Sequence, residues 1–374
     1  MPSLPECSII DRYLVHETRD LSKEETDITD TVRALLVGCG GISRTWLRAA
    51  GEIDGLRIAG LVDIVRDAAE QRAEEFGLHD ALIDTDLQSA LERLNPDVVF
   101  NCTVPSAHRE VTLAALAHGC HVLSEKPLAD SMESAREIVA AAQAADRLFA
   151  VIQNRRYQAS IRRLSRFLRG GNVGPITTLD SDFYIGAHFG GFRDHMQHVL
   201  LLDMAIHTFD AARLISGADP VAVYCKEWNP TGSWYDHDAS AVAVFEMSDG
   251  IVYTYRGSWC AEGLNTTWEC NWRAIGTRGS VTWDGADAFQ AEVVTQAGGF
   301  RSEYEDLAVP PLGPDDRGPE FAVGGHAGLI ADFIDCVRTG RTPETVASDN
   351  IKSLAMVLSA IDSASQGREI QIAI

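Results

Sequence analysis

The stretch Ala34-Leu35-Leu36-Val37-Gly38-Cys39-Gly40-Gly41-Ile42-Ser43 decides the fold, because an apolar run breaks into glycines and reopens as a helical pattern. In a dinucleotide fold the first glycine makes a tight turn and the second lets the backbone approach a pyrophosphate. The free N–H groups of the following helix then point at that pyrophosphate. Gly38 and Gly40 fill those two places, Gly41 and Ile42 complete the loop, and Ser43 stands where the fingerprint has glycine or alanine. Alone the motif is weak. Its context strengthens it: the next apolar run ends at Leu61-Val62-Asp63, where an acid meets the adenosine ribose hydroxyls. Asp63 therefore points to NAD, since a carboxylate there repels a 2'-phosphate, while neighbouring Arg66 keeps NADP as the alternative.

Working outward, apolar runs at Ala34–Val37, Leu56–Val62, Val98–Cys102, His121–Ser124 and Leu148–Ile152 read as buried strands. Between them lie helical patterns at Ser43–Ala50, Val65–Phe76, Leu87–Leu94, His108–His118 and Met132–Ala144. That alternation predicts a parallel sheet with helices on both faces, an α/β Rossmann domain over residues 32–153. Residues 1–31 carry eight acids against three bases without sustained periodicity and read as an N-terminal extension, partly helical at Leu21–Asp30.

From residue 154 to 374 the texture changes. A helix at Ile161–Arg169 ends in Gly170-Gly171, a strand follows Gly174-Pro175, and an amphipathic helix is expected over Leu200–Ile215. Runs rich in β-branched and aromatic residues follow at Ala222–Trp228, Ser240–Met247, Ile251–Trp259, Thr267–Ile275 and Val281–Trp283. They predict a second α/β domain on an open, largely antiparallel sheet. Helices near Ala327–Thr339 and Asp349–Gln366 close the chain and are expected to reach back to the first domain. Six of the seven tryptophans fall in 56 residues here, too many to leave on a solvated face, so a homodimer or homotetramer through residues 220–285 is expected.

Composition narrows the function. The chain has 374 residues, 45% of them hydrophobic and 23% charged, an ordinary globular balance. Its net charge of -22 disfavours nucleic acid and anionic membrane as partners. No apolar run approaches the ~18 residues of a membrane span, and the first residues lack the order of a signal peptide, so a cytoplasmic protein is expected. The eight cysteines are scattered without zinc spacing, which predicts reduced thiols and no metal site. His195, His198, His207 and His237 likewise lack the acidic cluster a metal would need.

Two segments lie where parallel strands end and open α/β sheets bind ligands: Asn101-Cys102-Thr103-Val104-Pro105-Ser106-Ala107-His108 and Glu125-Lys126-Pro127. Lys126, between an acid and a proline, is a candidate proton donor or carbonyl polariser, although a strand-end lysine alone also reads as a solvated charge. Asp203 and His207 stand four apart on a predicted helix and so share a face. Taken alone, such a pair also reads as a surface contact.

With these residues in place the chain resembles the Gfo/Idh/MocA family of nicotinamide-dependent sugar and polyol oxidoreductases over residues 32–370. The resemblance rests on Val37-Gly38-Cys39-Gly40-Gly41, Asp63, Pro105 with His108, Glu125-Lys126-Pro127, Asn154 with Arg155, and Leu202-Asp203-Met204-Ala205-Ile206-His207-Thr208-Phe209-Asp210. Ala205 stands where the family usually has glycine. The resemblance implies a catalytic trio of Lys126, Asp203 and His207, with NAD bordered by Asn101, Thr103, Pro105, His108 and Glu125. It further implies hydride transfer to or from a secondary alcohol of a sugar, sugar acid or cyclitol. In the oxidation direction His207 would take the hydroxyl proton, Lys126 would hydrogen-bond the developing alkoxide, and Asp203 would hold the histidine; either Lys126 or His207 is the final proton carrier. Arg155 is expected to face the cleft, and Trp234 and Trp259 to stack on the sugar. Two other readings share the scaffold: a glycosidase that uses bound NAD transiently, and a non-catalytic NAD-binding regulator.

Overall fold

The first sheet is assembled from the apolar runs around the glycine loop. The computed structural model describes residues 31–314, 316 and 318–374, so the N-terminal segment and its expected helix lie outside the described residues. Six strands, β1 (Val32–Val37), β2 (Leu56–Val62), β3 (Leu82–Asp84), β4 (Val98–Asn101), β5 (His121–Ser124) and β6 (Phe149–Val151), pair in the order β3-β2-β1-β4-β5-β6, all parallel. Runs of four and five apolar residues in β1 and β2, and of two or three in the shorter strands, suit a sheet buried on both faces. Its helices are α1 (Ser43–Ala50), α2 (Arg66–Glu75), α3 (Leu87–Leu94), α4 (Pro105–Ala117) and α5 (Met132–Ala145). The order reverses between β1 and β4, so the glycine loop and the Asn101 segment flank one crevice. Strand β3 escaped the sequence reading because three half-buried residues are too few to show a period. Helix α4 starts three residues before the expected His108 because Pro105 takes the first helical position, where its missing N–H costs nothing.

A 3-10 turn at Asn154–Tyr157 leads to α6 (Ala159–Arg169) and a nine-stranded sheet. Its strands are β7 (Ile176–Tyr184), β8 (Pro220–Trp228), β9 (Ser240–Met247), β10 (Val252–Ser258), β11 (Asn271–Gly276), β12 (Gly279–Trp283), β13 (Phe289–Gln296), β14 (Glu303–Asp306) and β15 (Ile370–Gln371). They run β14-β13-β12-β11-β7-β10-β9-β8-β15, antiparallel except for β7 beside β10. The strand expected from Thr267 begins only at Asn271, because Cys270 turns at φ 67 before the ladder starts. The exposed strand β14 and the two-residue β15 carried too little apolar alternation to be read from sequence, and the alternation Phe289-Gln290-Ala291-Glu292-Val293 of β13 was passed over.

The expected helix over Leu200–Ile215 is two pieces: a π-helical turn at Leu200–Ala205, then α7 (Ile206–Ser216). Beyond the second sheet, α8 (Gly325–Thr339) sends Leu329, Ile330, Phe333 and Ile334 into the core around β1 and α1. Helix α9 (Ala347–Gln366) lies between the two sheets, with Ile351 and Leu354 in the core of the first and Met356, Val357 and Ala360 in that of the second. At the seam, Arg156 grips Asp210 of α7 through two bonds of 2.6 and 2.8 Å, and Ser353 of α9 donates to the same carboxylate at 2.7 Å. A buried bidentate pair with its remaining lone pairs satisfied fixes how the elements meet.

Most of the clustered aromatic residues expected on an interface fill the core of the second sheet. Trp259, Trp272, Trp283, Tyr253 and Tyr255 are buried on the sheet's helix-facing side, where strand alternation puts them in the protein's own core. Tyr224, Trp228, Val244 and Val252 are left on the outward face.

Candidate active site

Gly38 is required twice over: its φ is +93, and a Cβ there would lie 2.6 Å from the carbonyl oxygen of Cys102. Gly40 and Gly41 differ, because a Cβ on either meets nothing within 4 Å. The space above them is open, and no side chain caps the N-terminus of α1, a cradle that fits a pyrophosphate. Ser43 tolerates the packed third position because its hydroxyl donates to Gly40 O at 2.6 Å and accepts from buried Arg72 at 2.9 Å. Arg72, which the sequence reading passed over, also donates to the carbonyls of Cys39 and Gly40 and ties α2 to the loop.

Asp63 sits at the tip of β2, accepting from the N–H groups of Cys39 at 2.7 Å and Val65 at 2.9 Å. The adjoining Ile64 and Val65 are exposed apolar side chains beside it, a fitting lip for an adenine. Arg66 points away to Glu70 at 2.8 Å.

Several residues expected to border the cofactor are hydrogen-bonded to other protein groups. The buried Asn101 side chain donates to His108 O and Thr112 Oγ1 and accepts from the Thr103 hydroxyl at 2.6 Å. His108 is buried, its Nδ1 2.7 Å from Pro127 O and its Nε2 3.1 Å from Thr103 O; a neutral ring donates to one of these at a time, and burial lowers its pKa. Glu125 is buried, accepts from Trp46 Nε1 at 2.7 Å, and has its pKa raised by burial. Pro105 opens α4 next to these residues.

Lys126, joined to Pro127 by a cis peptide, extends Nζ to both the backbone oxygen of Asp203 at 2.9 Å and its Oδ1 at 3.1 Å. Arg193, from the loop before the π turn, takes the other side of that carboxylate, Nε to Oδ2 at 2.7 Å and Nη2 to Oδ1 at 3.3 Å. Burial pushes the Asp203 carboxyl up, but Lys126 and Arg193 outweigh it and hold it below its ordinary value. Among the described residues Asp203 makes no hydrogen bond to His207. The carboxylate that was expected to hold the histidine holds the lysine, because the π turn changes the angular spacing between positions 203 and 207. His207 has a buried Nδ1 without a partner. Burial, then the charges of Lys126, Arg155 and His326, keep it well below the ordinary histidine range and so neutral. His326, at the start of α8, is itself lowered to about 4 by burial and by Lys126.

Arg155 is buried, donating to Trp268 O and to Glu269 Oε2 at 3.1 Å. Trp234 donates to Ala187 O at 2.8 Å and has one face covered by His188, stacked at 3.7 Å. Trp259 is buried among Phe183, Phe189 and Trp268, so it offers no face to a sugar. Arg193 and His326 were not found from sequence, because neither stands in a motif and only the fold returns them to Lys126. Among the described residues no group of three or more His, Cys, Asp or Glu could hold a metal ion.

Residues 32–153 match the family profile described as an oxidoreductase family with an NAD-binding Rossmann fold, and residues 161–282 match the GFO/IDH/MocA C-terminal domain. The chain is 26% identical to a D-apiose dehydrogenase of Paraburkholderia graminis, over 91% of this chain and 89% of that one. It is 24% identical to a 1,5-anhydro-D-fructose reductase of Ensifer adhaerens, over 90% and 97%. Among solved structures, an oxidoreductase from Agrobacterium radiobacter in complex with NAD+, L-tartaric acid and magnesium superposes with a TM-score of 0.78 at 22% identity, covering 91% of this chain and 98% of that one. This last likeness is one of fold.

Proposed function

The chain belongs to the Gfo/Idh/MocA family of NAD-binding oxidoreductases, and from that premise we propose that it is a dehydrogenase acting on a secondary alcohol of a sugar, sugar acid or cyclitol. The observation that carries this reading is Lys126 Nζ held on Asp203 beside a neutral His207, at the mouth of the crevice that the glycine loop opens. Bound NAD supplies the hydride acceptor or donor. Gly38, Gly40, Gly41 and Ile42 form its phosphate cradle and Asp63 meets its ribose; NAD is preferred over NADP because the Asp63 carboxylate repels a 2'-phosphate, while Arg66 pairs with Glu70. Asn101, Thr103, Pro105, His108 and Glu125 hold the wall on which the nicotinamide end rests.

Asp203 spends two of the three Lys126 N–H donors, which aims the third at the substrate oxygen. That donor stabilises negative charge as the hydroxyl is deprotonated, in a half-buried site where such a bond counts for more than in water. Neutral His207 takes the proton. Arg155 and Trp234 form the outer wall of the substrate site. The outward sheet face around Val244 joins copies into a dimer or tetramer, and the cysteines of the described residues, all free, suit the reducing cytoplasm.

The test is a panel of sugars, sugar acids and inositols offered to the purified protein with NAD and with NADP. NADH formation on at least one panel member is expected, with NAD favoured tenfold or more, about 1.4 kcal/mol, and Asp63→Ala narrowing that gap. Tight NAD binding without turnover of any polyol would end the dehydrogenase reading.

A further inference from the structure

The loop that carries Arg193 is built to hold it still. Ala187 O accepts from both Trp234 Nε1 at 2.8 Å and Tyr235 OH at 2.5 Å, and Ala187 N donates to Trp259 O at 3.1 Å. The chain reverses through Gly190 and Gly191, both near φ 70. On the far side Asp236 N donates to Asp194 O at 2.8 Å, and His198 meets Glu227 at 2.7 Å. Between these anchors the Arg193 guanidinium lies 5.0 Å from the ring centre of Phe189 and 4.8 Å from that of Phe192.

A guanidinium has two edges that can each grip a carboxylate with a pair of N–H donors. Asp203 occupies the side-on edge, through Nε and Nη2. The end-on edge, formed by Nη1 and the second Nη2 hydrogen, meets no acceptor among the described residues, and the side chain is 33% exposed. Charge points the same way. Lys126 and Arg193 share the single carboxylate of Asp203, while Arg155 has Glu269 for itself. Among the described residues Asp203 is the one carboxylate that pairs with either Lys126 or Arg193, in a chain whose net charge is -22. Two cations on one anion in a half-buried setting favour a ligand that brings a negative charge.

We infer that Arg193 is a specificity-determining residue that selects a substrate bearing a carboxylate, a polyhydroxy acid rather than a neutral sugar or cyclitol. The free end-on edge of its guanidinium grips that carboxylate while Lys126 and His207 address a hydroxyl nearby. The inference rests on the dehydrogenase reading for the reaction, but the grip itself is a binding property and is measured without turnover.

The experiment compares matched probes, D-glucuronate with D-glucose and D-gluconate with D-glucitol, by calorimetric titration into the NADH-loaded full chain and by NAD reduction. Wild type should bind the acids at least tenfold more tightly than their neutral partners. Arg193→Gln should lose about 30-fold or more on the acids, at least tenfold more than on the neutral probes, with Arg193→Lys recovering part of the preference. An unchanged melting temperature shows that the variants are folded. Equal binding of acids and neutral partners by wild type, or an equal loss of both in Arg193→Gln, overturns the inference. Oxidation of the neutral probes alone overturns it too and leaves the dehydrogenase reading standing. Arg193-dependent binding of the acids without oxidation of any probe supports the grip and leaves the dehydrogenase reading to be decided by the wider panel.

Discussion

Lys126 and His207 divide the proton's path between a cation and a neutral ring, and each makes its own prediction. Replacing either by alanine should cost about 10² to 10⁴ in turnover while NAD still binds, because the phosphate cradle belongs to other residues. The double variant should fall little below the worse single one, as groups that act together are not additive. Since burial and Lys126 hold His207 well below the ordinary range, the acid limb of kcat/KM should lie below pH ~6.5; residual activity of Lys126→Ala should show that limb moved upward, as one lowering charge is gone. A limb that stays put would remove His207 as the base. His326 carries a stability prediction. Its folded pKa, about 4, lies under the unfolded value of 6.5, so the unfolded chain binds the proton first as pH falls. The stability tied to its neutral form is complete above pH ~6.5 and is lost on the way down to about 4, by at most about 3 kcal/mol. In urea titrations His326→Asn should therefore gain about 1 to 2 kcal/mol on wild type between about pH 7 and about pH 5, and a constant difference would mean the ring is solvated. Lys126, Asp203 and His207 stood out in the sequence because type and spacing mark them. Arg193 and His326 did not, since a loop arginine ten positions before Asp203 looks like any surface charge until the fold turns it inward.

At the scale of elements, the glycine loop separates folding from binding within three residues. Gly38→Ala forces a side chain into a left-handed backbone and against the end of β4, so it should destabilise the fold by about 2 kcal/mol or more. Gly40→Ala meets no protein atom, so its melting temperature should match wild type while NAD affinity falls tenfold or more. Calorimetric melting beside NAD titration checks both; if Gly40→Ala binds NAD normally, the pyrophosphate does not approach that backbone. The strands that were legible, such as β1, β4 and β9, are those whose apolar runs are long enough to declare burial. Strand β3, with three half-buried residues, and the exposed β14 are held by hydrogen bonds to neighbours that the local pattern does not name. The π turn at Leu200–Ala205 was invisible for a related reason: its apolar residues suit either helix type, and only the packing of Asp203 against Lys126 and Arg193 distinguishes them. That one turn converts an expected Asp-His pair into an Asp-Lys-Arg cluster, so an error of element type becomes a change of residue role.

For the whole molecule, the open question of sequence was what its concentration of aromatic residues serves. Most of them fill the core under the nine-stranded sheet, which weakens a purely aromatic case for assembly and shifts it to Tyr224, Trp228, Val244 and Val252 on the outward face. A shallow trough of about 750 Å³ crosses that face between Asp180, Asp182, Val244 and Arg256, mixing apolar and charged groups as interface surfaces do. A specific pairing needs about 800 Å² from each partner, which a nine-stranded face can supply. Opposing it is the net charge of -22 on every copy. Apolar contact and like-charge repulsion respond oppositely to salt, because screening shortens the reach of the charges to about 10 Å at 0.1 M and leaves the apolar contact intact. Association should therefore tighten as salt is raised from about 0.05 to about 0.5 M, where an interface made of ion pairs would loosen. Light scattering at micromolar protein should show a dimer or tetramer, and Val244→Asp should shift it toward monomer without lowering the melting temperature. A monomer at both salt levels would end the case for assembly, and an oligomer that salt disperses would move the interface from the apolar strip to the charged trough.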